Sequence, residues 1–395
     1  MRQKNGRLIA LIAAVAVAAI AIGAALAYRQ GPSTLTADAA PLSGTPSPSP
    51  TPAPSTVKPS TTPKSTPSAT PPMTPTTKPS QAPTKGGKSE VKLTKLADGR
   101  VPQVPYLTGR TVRGGAGQDL KIPGSQNIQA VARMGQSVLA ILSGTDNTTE
   151  MLTIGSDGKV LRKTPNITGL VSTEDGMAAA YNTSLYSDLG EQSAGTTIYA
   201  EQQQVQKLNM PDVWNTTLIG YVNGKVYFHA SAKEADNTWT LYEWIPGESK
   251  ATALKNVPKP TAVSGDASIA ASLTTLNDYN SCTSVLAVAS GKRLWKTCEY
   301  QVDSFTRDGG TAIAGPFYRD GYGDGLAAAL DAKTGNLLHE WTGVFRQAVA
   351  EDDQHLLLLA DTGEETPASI IRCTIATGAC ERATPLAKGT LLLGS

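Results

Sequence analysis

The residues whose types and spacing point most directly to chemistry are four cysteines, which fall into two pairs. Cys373 and Cys380 flank a Thr-Gly turn in the stretch "CTIATGAC", and Cys282 and Cys298 lie 16 residues apart. Two neighbouring thiols can form a redox-active dithiol, half of a metal site or a disulfide between two strands. No Cys-x-x-Cys motif is present. The choice depends on the location of the protein and on the elements that carry the pairs.

Two carboxylates in "YRDGYGDG" are the next candidates. Asp320 and Asp324 are four residues apart in a Gly-rich stretch, and Ca²⁺ prefers oxygen ligands from flexible loops. The pair is a candidate Ca²⁺ site, and an ordinary acidic loop is the alternative. No other metal ligand and no cofactor are predicted.

Motifs of common enzyme families are missing. His229, His339 and His355 fall in different parts of the sequence, without a second His or a carboxylate at metal-ligand spacing. No Gly-x-Ser-x-Gly elbow occurs, so a nucleophile-elbow hydrolase has no support. The glycines of 114–117 and 321–325 are not followed by a helix pattern, which argues against dinucleotide binding. No catalytic residue is predicted.

The N-terminus indicates export to the cell envelope. Residues 1–7 are a basic stub, and residues 8–28 form an uncharged apolar run long enough to span a bilayer. The flanking cations place the stub in the cytoplasm and the rest of the chain outside. The alternative is a cleaved signal peptide, since Ala25-Leu26-Ala27 has the form of a cleavage site, and cleavage after Ala27 would yield a secreted protein. The net charge of +2 gives no reason to expect a nucleic-acid partner.

A low-complexity segment follows the apolar run. Residues 29–92 are dominated by Pro, Thr and Ser and contain few apolar side chains, so the sequence predicts a disordered linker. About 55 such residues, at about 3.1 Å each, would reach on the order of 170 Å. Residues 93–395 are the predicted folded domain.

Two interleaved series of turns run through this domain. One includes Gly247, Gly291, Gly335 and Gly378, which are spaced by about 44 residues, with a degenerate member at Gln202 and Gln203. The other runs out of phase from Gly135 to Asp353. Two hairpins per period of 40–45 residues are typical of a β-propeller blade. The sequence therefore predicts an all-β propeller with six complete blades from about Ile128 to Arg382.

The remaining residues at the two ends predict a seventh blade. "TVRGGAGQDLKIP" has the form of a second hairpin, and "TPLAKGTLLLGS" has the form of a first hairpin. Together they would complete one blade and close the ring, which removes exposed sheet edges. We therefore expect seven blades rather than six, in a monomeric ring.

Several repeats resemble a known family. "VLAVASGKRLWKT" and "AAALDAKTGNLLHEW" are similar to WD40-like and quinoprotein-like repeats of TolB-type propellers. The order of apolar run, Pro-rich linker and repeats resembles actinobacterial membrane-anchored propeller proteins. The resemblance implies binding or scaffolding more often than catalysis. Trp295 and Trp341 follow the turn at the same phase, so we expect both to pack between blades.

The repeats also decide between the chemistries open to the cysteines. The midpoints of both pairs fall at turns of the same series, near Gly291 and Gly378. We therefore expect two disulfides, Cys282–Cys298 and Cys373–Cys380, each across one hairpin of an exported domain.

Two classes of function follow. The first is an extracytoplasmic module or scaffold that binds a small ligand or an envelope protein. The alternative is a propeller-type enzyme, such as a lactonase or a glycan-active enzyme, with its site at the central channel.

Overall fold

A computed structural model describes residues 86–144, 148–186, 192–234, 238–275, 281–317, 323–362 and 367–394. Its regular structure is β-strand, apart from one 3₁₀ turn at Leu93–Lys95. Within these ranges no helix is long and apolar enough to span a membrane. The predicted stub 1–7, the predicted transmembrane helix 8–28, linker residues 29–85 and Asp320 lie outside them.

The first strands lie before the repeats. They are β1 (Gly87–Glu90), β2 (Tyr106–Thr108), β3 (Thr111–Arg113) and β4 (Leu120–Lys121). β2, β3 and β4 pair in order as an antiparallel sheet, whereas β1 pairs elsewhere.

Blades 1 to 3 follow, each with four antiparallel strands paired in chain order. Blade 1 contains β5 (Ile128–Met134), β6 (Ser137–Ser143), β7 (Thr149–Ile154) and β8 (Val160–Pro165). Blade 2 contains β9 (Ile167–Ser172), β10 (Ala179–Thr183), β13 (Thr196–Glu201) and β14 (Val205–Met210), with a small hairpin of β11 (Leu185–Tyr186) and β12 (Gln192–Ser193). Blade 3 contains β15 (Trp214–Val222), β16 (Lys225–Ser231), β17 (Trp239–Trp244) and β18 (Thr252–Pro258).

Blades 4 to 6 repeat this arrangement, and one long strand is shared by the last two. Blade 4 contains β19 (Pro260–Val263), β20 (Ile269–Thr275), β21 (Cys282–Ala287) and β22 (Arg293–Thr297). Blade 5 contains β23 (Tyr300–Phe305), β24 (Thr311–Pro316), β25 (Asp324–Asp331) and the first half of β26 (Leu337–Ala350). Blade 6 contains the second half of β26, β27 (His355–Asp361), β28 (Ala368–Thr374) and β29 (Cys380–Arg382). The six blades run from Ile128 to Arg382, as the turn spacing predicted.

The last strand, β30 (Leu391–Leu393), closes the ring. It pairs with β2 to give a seventh four-stranded sheet, β30-β2-β3-β4. The first strand of each blade contacts the first strand of the next, and β30 contacts both blade 6 and β5. These contacts make a closed ring of seven blades in the described part of the chain.

The composition of blade 7 differs from the predicted pair of half-blades. The C-terminal segment supplies one strand, and the N-terminal segment supplies three. The other half of the predicted C-terminal hairpin pairs with blade 6 instead, where Ala387 forms a bridge with Ala368. The first two strands of blade 7, β30 and β2, are therefore separated in the sequence by all six other blades.

Neighbouring blades are joined by two tryptophans. The indole N–H of Trp295 donates to the carbonyl of Ala332 at 2.8 Å, and that of Trp341 donates to Gly378 at 3.0 Å. Gly335, at φ 74°, faces the first indole so closely that a Cβ there would lie 2.7 Å from the ring. The expected packing of both tryptophans between blades is confirmed.

Both expected disulfides are present. Cys282–Cys298 and Cys373–Cys380 have Cα–Cα distances of 4.1 Å. Cys373 and Cys380 are direct partners in the pairing of β28 with β29. The described residues contain no free cysteine.

The two ends of the ring differ. At one end of the ring lie the turns that connect the first strand of a blade to the second and the third strand to the fourth. We call this end the turn face and the opposite end the loop face. On the turn face Arg307 of blade 5 forms an ion pair with Glu174 of blade 2 at 2.6 Å, although these blades are not neighbours. The N–H of Asp308 also donates to Asp353 of blade 6 at 2.9 Å. The turns therefore bond to one another across the turn face.

Residues 86–96, which we call the strap, cover the outer side of blades 5 and 6. β1 pairs in parallel with the outer strand β26, from Gly87 opposite His339 to Glu90 opposite Thr342. This strand falls inside the predicted linker 29–92. Its residues, "GKSE", are polar, and backbone pairing with an existing edge orders them, so composition alone did not reveal the strand.

Candidate functional site

A groove opens on the loop face between blades 5 and 6, and we call it the blade 5–6 groove. Its volume is about 400 Å³, which lies within the usual range for small-molecule sites, about 300–1,000 Å³. One wall is residues 91–95 of the strap, and the other is formed by residues 343–345 and 360–362.

The floor of the groove is apolar. Leu93, Phe345 and Ala360 are 6%, 2% and 2% exposed. They belong to one buried cluster with Trp341 between blades 5 and 6. The groove therefore lies directly above the core that joins these blades.

The groove has exposed charges on the strap side and a largely buried ion pair on the other side. The buried carboxylate of Asp361 lies 3.3 Å from Nε of Arg346. On the strap, Lys92 and Lys95 are exposed, and Lys92 lies 3.0 Å from Glu90. An apolar floor with cations on one rim suits a ligand that combines an apolar group with an acidic one.

The polar side chains that line the groove are those of Lys92, Thr94, Lys95, Asp361 and Thr362. Its lining residues include no His, Cys or Ser. Across the described ranges, no group of three or more His, Cys, Asp or Glu residues is placed to hold a metal ion.

The structure describes one member of the predicted Ca²⁺ pair. Asp324 is the first residue of β25, opposite Phe345 of β26, so it lies near the groove. Asp320 lies outside the described residues, and the Ca²⁺ site therefore stays a prediction.

The three histidines lie in three different blades. His229 of blade 3 packs against Trp239 at 5.2 Å between ring centres, and burial lowers its pKa to about 4. His355 of blade 6 is bonded through Nδ1 to Asp352 at 2.8 Å, an i, i+3 contact that the sequence analysis overlooked.

His339 holds the strap. Its Nε2 lies 2.9 Å from Oγ of Ser89, a distance that a nucleophile and its base could also have. The ring is buried against Trp341 and between two glycines: a Cβ on Gly87 would lie 2.5 Å from its Cε1, and a Cβ on Gly378 would overlap its Nε2. Because no space for a substrate remains beside the ring, we interpret this bond as a contact that positions β1.

Sequence reasoning missed the groove because one of its walls lies in the predicted linker. In the stretch "VKLTK" (91–95), which comes shortly after the Pro-rich segment, the apolar residues Val91 and Leu93 alternate with polar ones. That alternation indicates a half-buried segment, and Leu93 is indeed buried, although Leu93–Lys95 folds as a 3₁₀ turn and not as a strand. The alternation was the available signal.

The comparisons with known proteins concern the fold. No protein-family model matches the sequence, and no curated protein matches it. An uncharacterized protein from Listeria monocytogenes is similar in structure at 10% identity and a TM-score of 0.45, over 71% of this chain and 91% of that one. The β-propeller domain of the Trilobed protease from Pyrococcus furiosus is similar at 12% identity and a TM-score of 0.46, over 67% and 86%.

TolB from Acinetobacter baumannii is similar at 15% identity and a TM-score of 0.39, over 59% of this chain and 61% of its own length. Such identities are too low to transfer the role of any residue from these proteins to this chain. The strand order and the ring of contacts described above identify the fold as a β-propeller.

Proposed function

We propose that this chain is an envelope-anchored binding protein that presents the loop face of its propeller to a ligand or partner. In this proposal residues 8–28 anchor the N-terminus in the membrane and residues 29–85 act as a spacer. The layout follows that of the actinobacterial membrane-anchored propellers that the sequence resembles. The supporting observation is the blade 5–6 groove, an apolar depression with exposed lysines on one rim, on the face opposite the bonded turns.

Photo-crosslinking in intact cells tests the binding site. A benzoylphenylalanine replaces Lys95 or Thr362, one on each rim of the groove, in the full-length chain. The matched control replaces Gln203, an exposed residue of a turn-face turn in blade 2. We expect the same adduct from both groove positions and none from Gln203. Equal adducts at all three positions, or no adduct at the groove, would contradict the proposal.

Fractionation tests the location. The full-length chain is expected to stay with the membrane after an alkaline wash, and added protease should digest the propeller in cells whose cytoplasmic marker is intact. Deletion of residues 8–28 is expected to leave the propeller in the cytoplasm. If the mature N-terminus lies directly after Ala27, the protein is secreted, and the proposed membrane anchor is contradicted.

A further inference from the structure

The strap and the groove share residues. Residues 91–95 of the strap form a complete wall of the groove. The side chain of Leu93 is 6% exposed, and it enters the cluster between blades 5 and 6. A groove of this shape therefore requires that the strap is docked.

The contacts of the strap are additions to the ring. Blade 5 has its four strands without β1, which pairs only with the outer edge of β26. Beyond the backbone pairing, Lys88 binds Glu340 at 2.9 Å and the N–H of Val91 donates to Thr342 at 2.9 Å. The strap also bonds through Ser89 to His339 and buries Leu93 in the cluster between blades 5 and 6. None of these contacts is a strand pairing within a blade, so the strand order of the ring does not depend on the strap.

The docked position is specified by close packing. A Cβ on Gly86 would overlap the carbonyl of Leu337, and one on Gly87 would meet the ring of His339 at 2.5 Å. Only residues without a side chain fit at these two positions. A larger residue at position 87 should therefore release β1 and leave the strands of the ring in place.

We propose, on the basis of the proposed function, that the strap is a detachable wall whose docking regulates the groove. The groove binds its ligand when the strap is docked, and a bound ligand in turn holds the strap in place. This reciprocity follows because the two events are linked through one wall, and a coupling free energy acts equally in both directions. Since the strap directly follows the predicted spacer, a pull on the spacer would weaken binding at the groove.

Trypsin cleavage of the full-length chain tests whether the strap can detach from the ring. Gly87→Val is compared with Gly325→Val, a matched control because a Cβ at Gly325 meets nothing within 4 Å. Leu93→Gln serves as a second variant that removes the apolar anchor. Cleavage after Lys92 and Lys95 is quantified by mass spectrometry, with cleavage after the exposed Lys163 of blade 1 as the reference for ring integrity.

We expect both strap variants to raise cleavage after Lys92 and Lys95 at least tenfold, with cleavage after Lys163 unchanged. If neither variant changes cleavage, the strap is not detachable. If cleavage after Lys163 rises in parallel, the strap is part of the ring, and the proposal is again overturned.

A fluorophore tests whether the strap is the wall. Thr362→Cys on the opposite rim is labelled with an environment-sensitive maleimide dye, alone and together with Gly87→Val or Gly325→Val. Release of the strap should shift the emission to longer wavelength in the first combination only. If Gly87→Val increases trypsin cleavage of the strap but leaves the emission unchanged, the strap is not a wall of the groove, and the proposal is overturned. Both measurements need no ligand, so their failure is distinct from a failure to find crosslinks at the groove.

Discussion

At the scale of single residues, the contact between Trp341 and Gly378 shows how one blade is attached to the next. The indole N–H reaches a backbone carbonyl in the turn of blade 6, and Trp295 makes the same contact from blade 4 to Ala332 of blade 5. Both bonds are buried. A buried carbonyl that loses its donor is destabilising by about 1–3 kcal/mol.

Trp341→Phe should therefore lower the free energy of unfolding by about 2–4 kcal/mol, the sum of a lost bond and a small cavity. Urea unfolding of the full propeller measures it. Trp214→Phe, at a half-buried tryptophan in blade 3, is the control and should change the free energy by less than about 1 kcal/mol. Equal losses in the two variants would show that the hydrogen bond contributes nothing specific.

His229 is a residue whose charge state affects stability. Burial lowers its pKa to about 4, and its Nδ1 has no hydrogen-bond partner among the described residues. The unfolded chain binds the proton with a pKa of about 6.5. The folded state is thus favoured above pH 6.5 and loses stability as the pH falls from there towards 4.

We expect His229→Gln to remove this part of the pH dependence. Between pH 6.5 and 4, the free energy of unfolding should fall more in the wild type than in the variant. This extra loss should be at most about 3 kcal/mol. Because both proteins contain the same carboxylates, the difference between their free energies of unfolding reports the contribution of His229. Parallel curves over this window would contradict the assignment.

At the scale of elements, the disulfides show which structures the sequence could predict. Hairpins of the repeat were predictable because their turns recur at a constant spacing, and both cysteine pairs are centred on such turns. β1 was not predictable, because pairing with β26 orders it and its own residues show no strand pattern. The groove could not be predicted for the same reason, because one of its walls, residues 91–95, is positioned by the docking of β1.

Removing each disulfide by a pair of Cys→Ala substitutions should destabilise the propeller, and the loss should be larger for the disulfide that closes the longer loop. The sequence separations are 16 and 7 residues. In the chain-entropy model, loss of Cys282–Cys298 lowers the free energy of unfolding by about 3 kcal/mol and loss of Cys373–Cys380 by about 2 kcal/mol. Denaturant unfolding of both variants gives the order, and the reverse order would argue against the entropic explanation.

At the scale of the whole molecule, three residues close the ring. Leu391 and Leu393 are 2% and 5% exposed, and they pack with Tyr106 and with residues of blade 6. The side chain of Gln347 in blade 6 accepts from the N–H of Leu393 at 2.8 Å. β30 is thus held by its partner strand β2 and by blade 6 at once. The number of blades followed from the sequence period, but the division into three strands and one did not, because short strands carry little pattern.

Deletion of residues 391–395 should unfold the ring rather than trim it. Burial of two leucines contributes about 3–6 kcal/mol, which is comparable to the total stability of many domains, about 5–15 kcal/mol. Near-UV circular dichroism and urea unfolding measure the loss. Leu392→Gln, at the half-buried residue between them, is the control that keeps the strand. A truncated protein with the wild-type unfolding midpoint would rule out this role of β30.

The closure also affects how the protein can be made. β2 is synthesised before blades 1 to 6, yet its partner strand β30 follows all of them. Until the ribosome has added Leu391–Leu393, one edge of β2 has no strand to pair with, even if the other blades have already folded. A chain that stops early, through a premature stop codon or proteolysis near the C-terminus, keeps that edge open. The pairing of β30 with β2 therefore forms only after the strands of blades 1 to 6 have been translated.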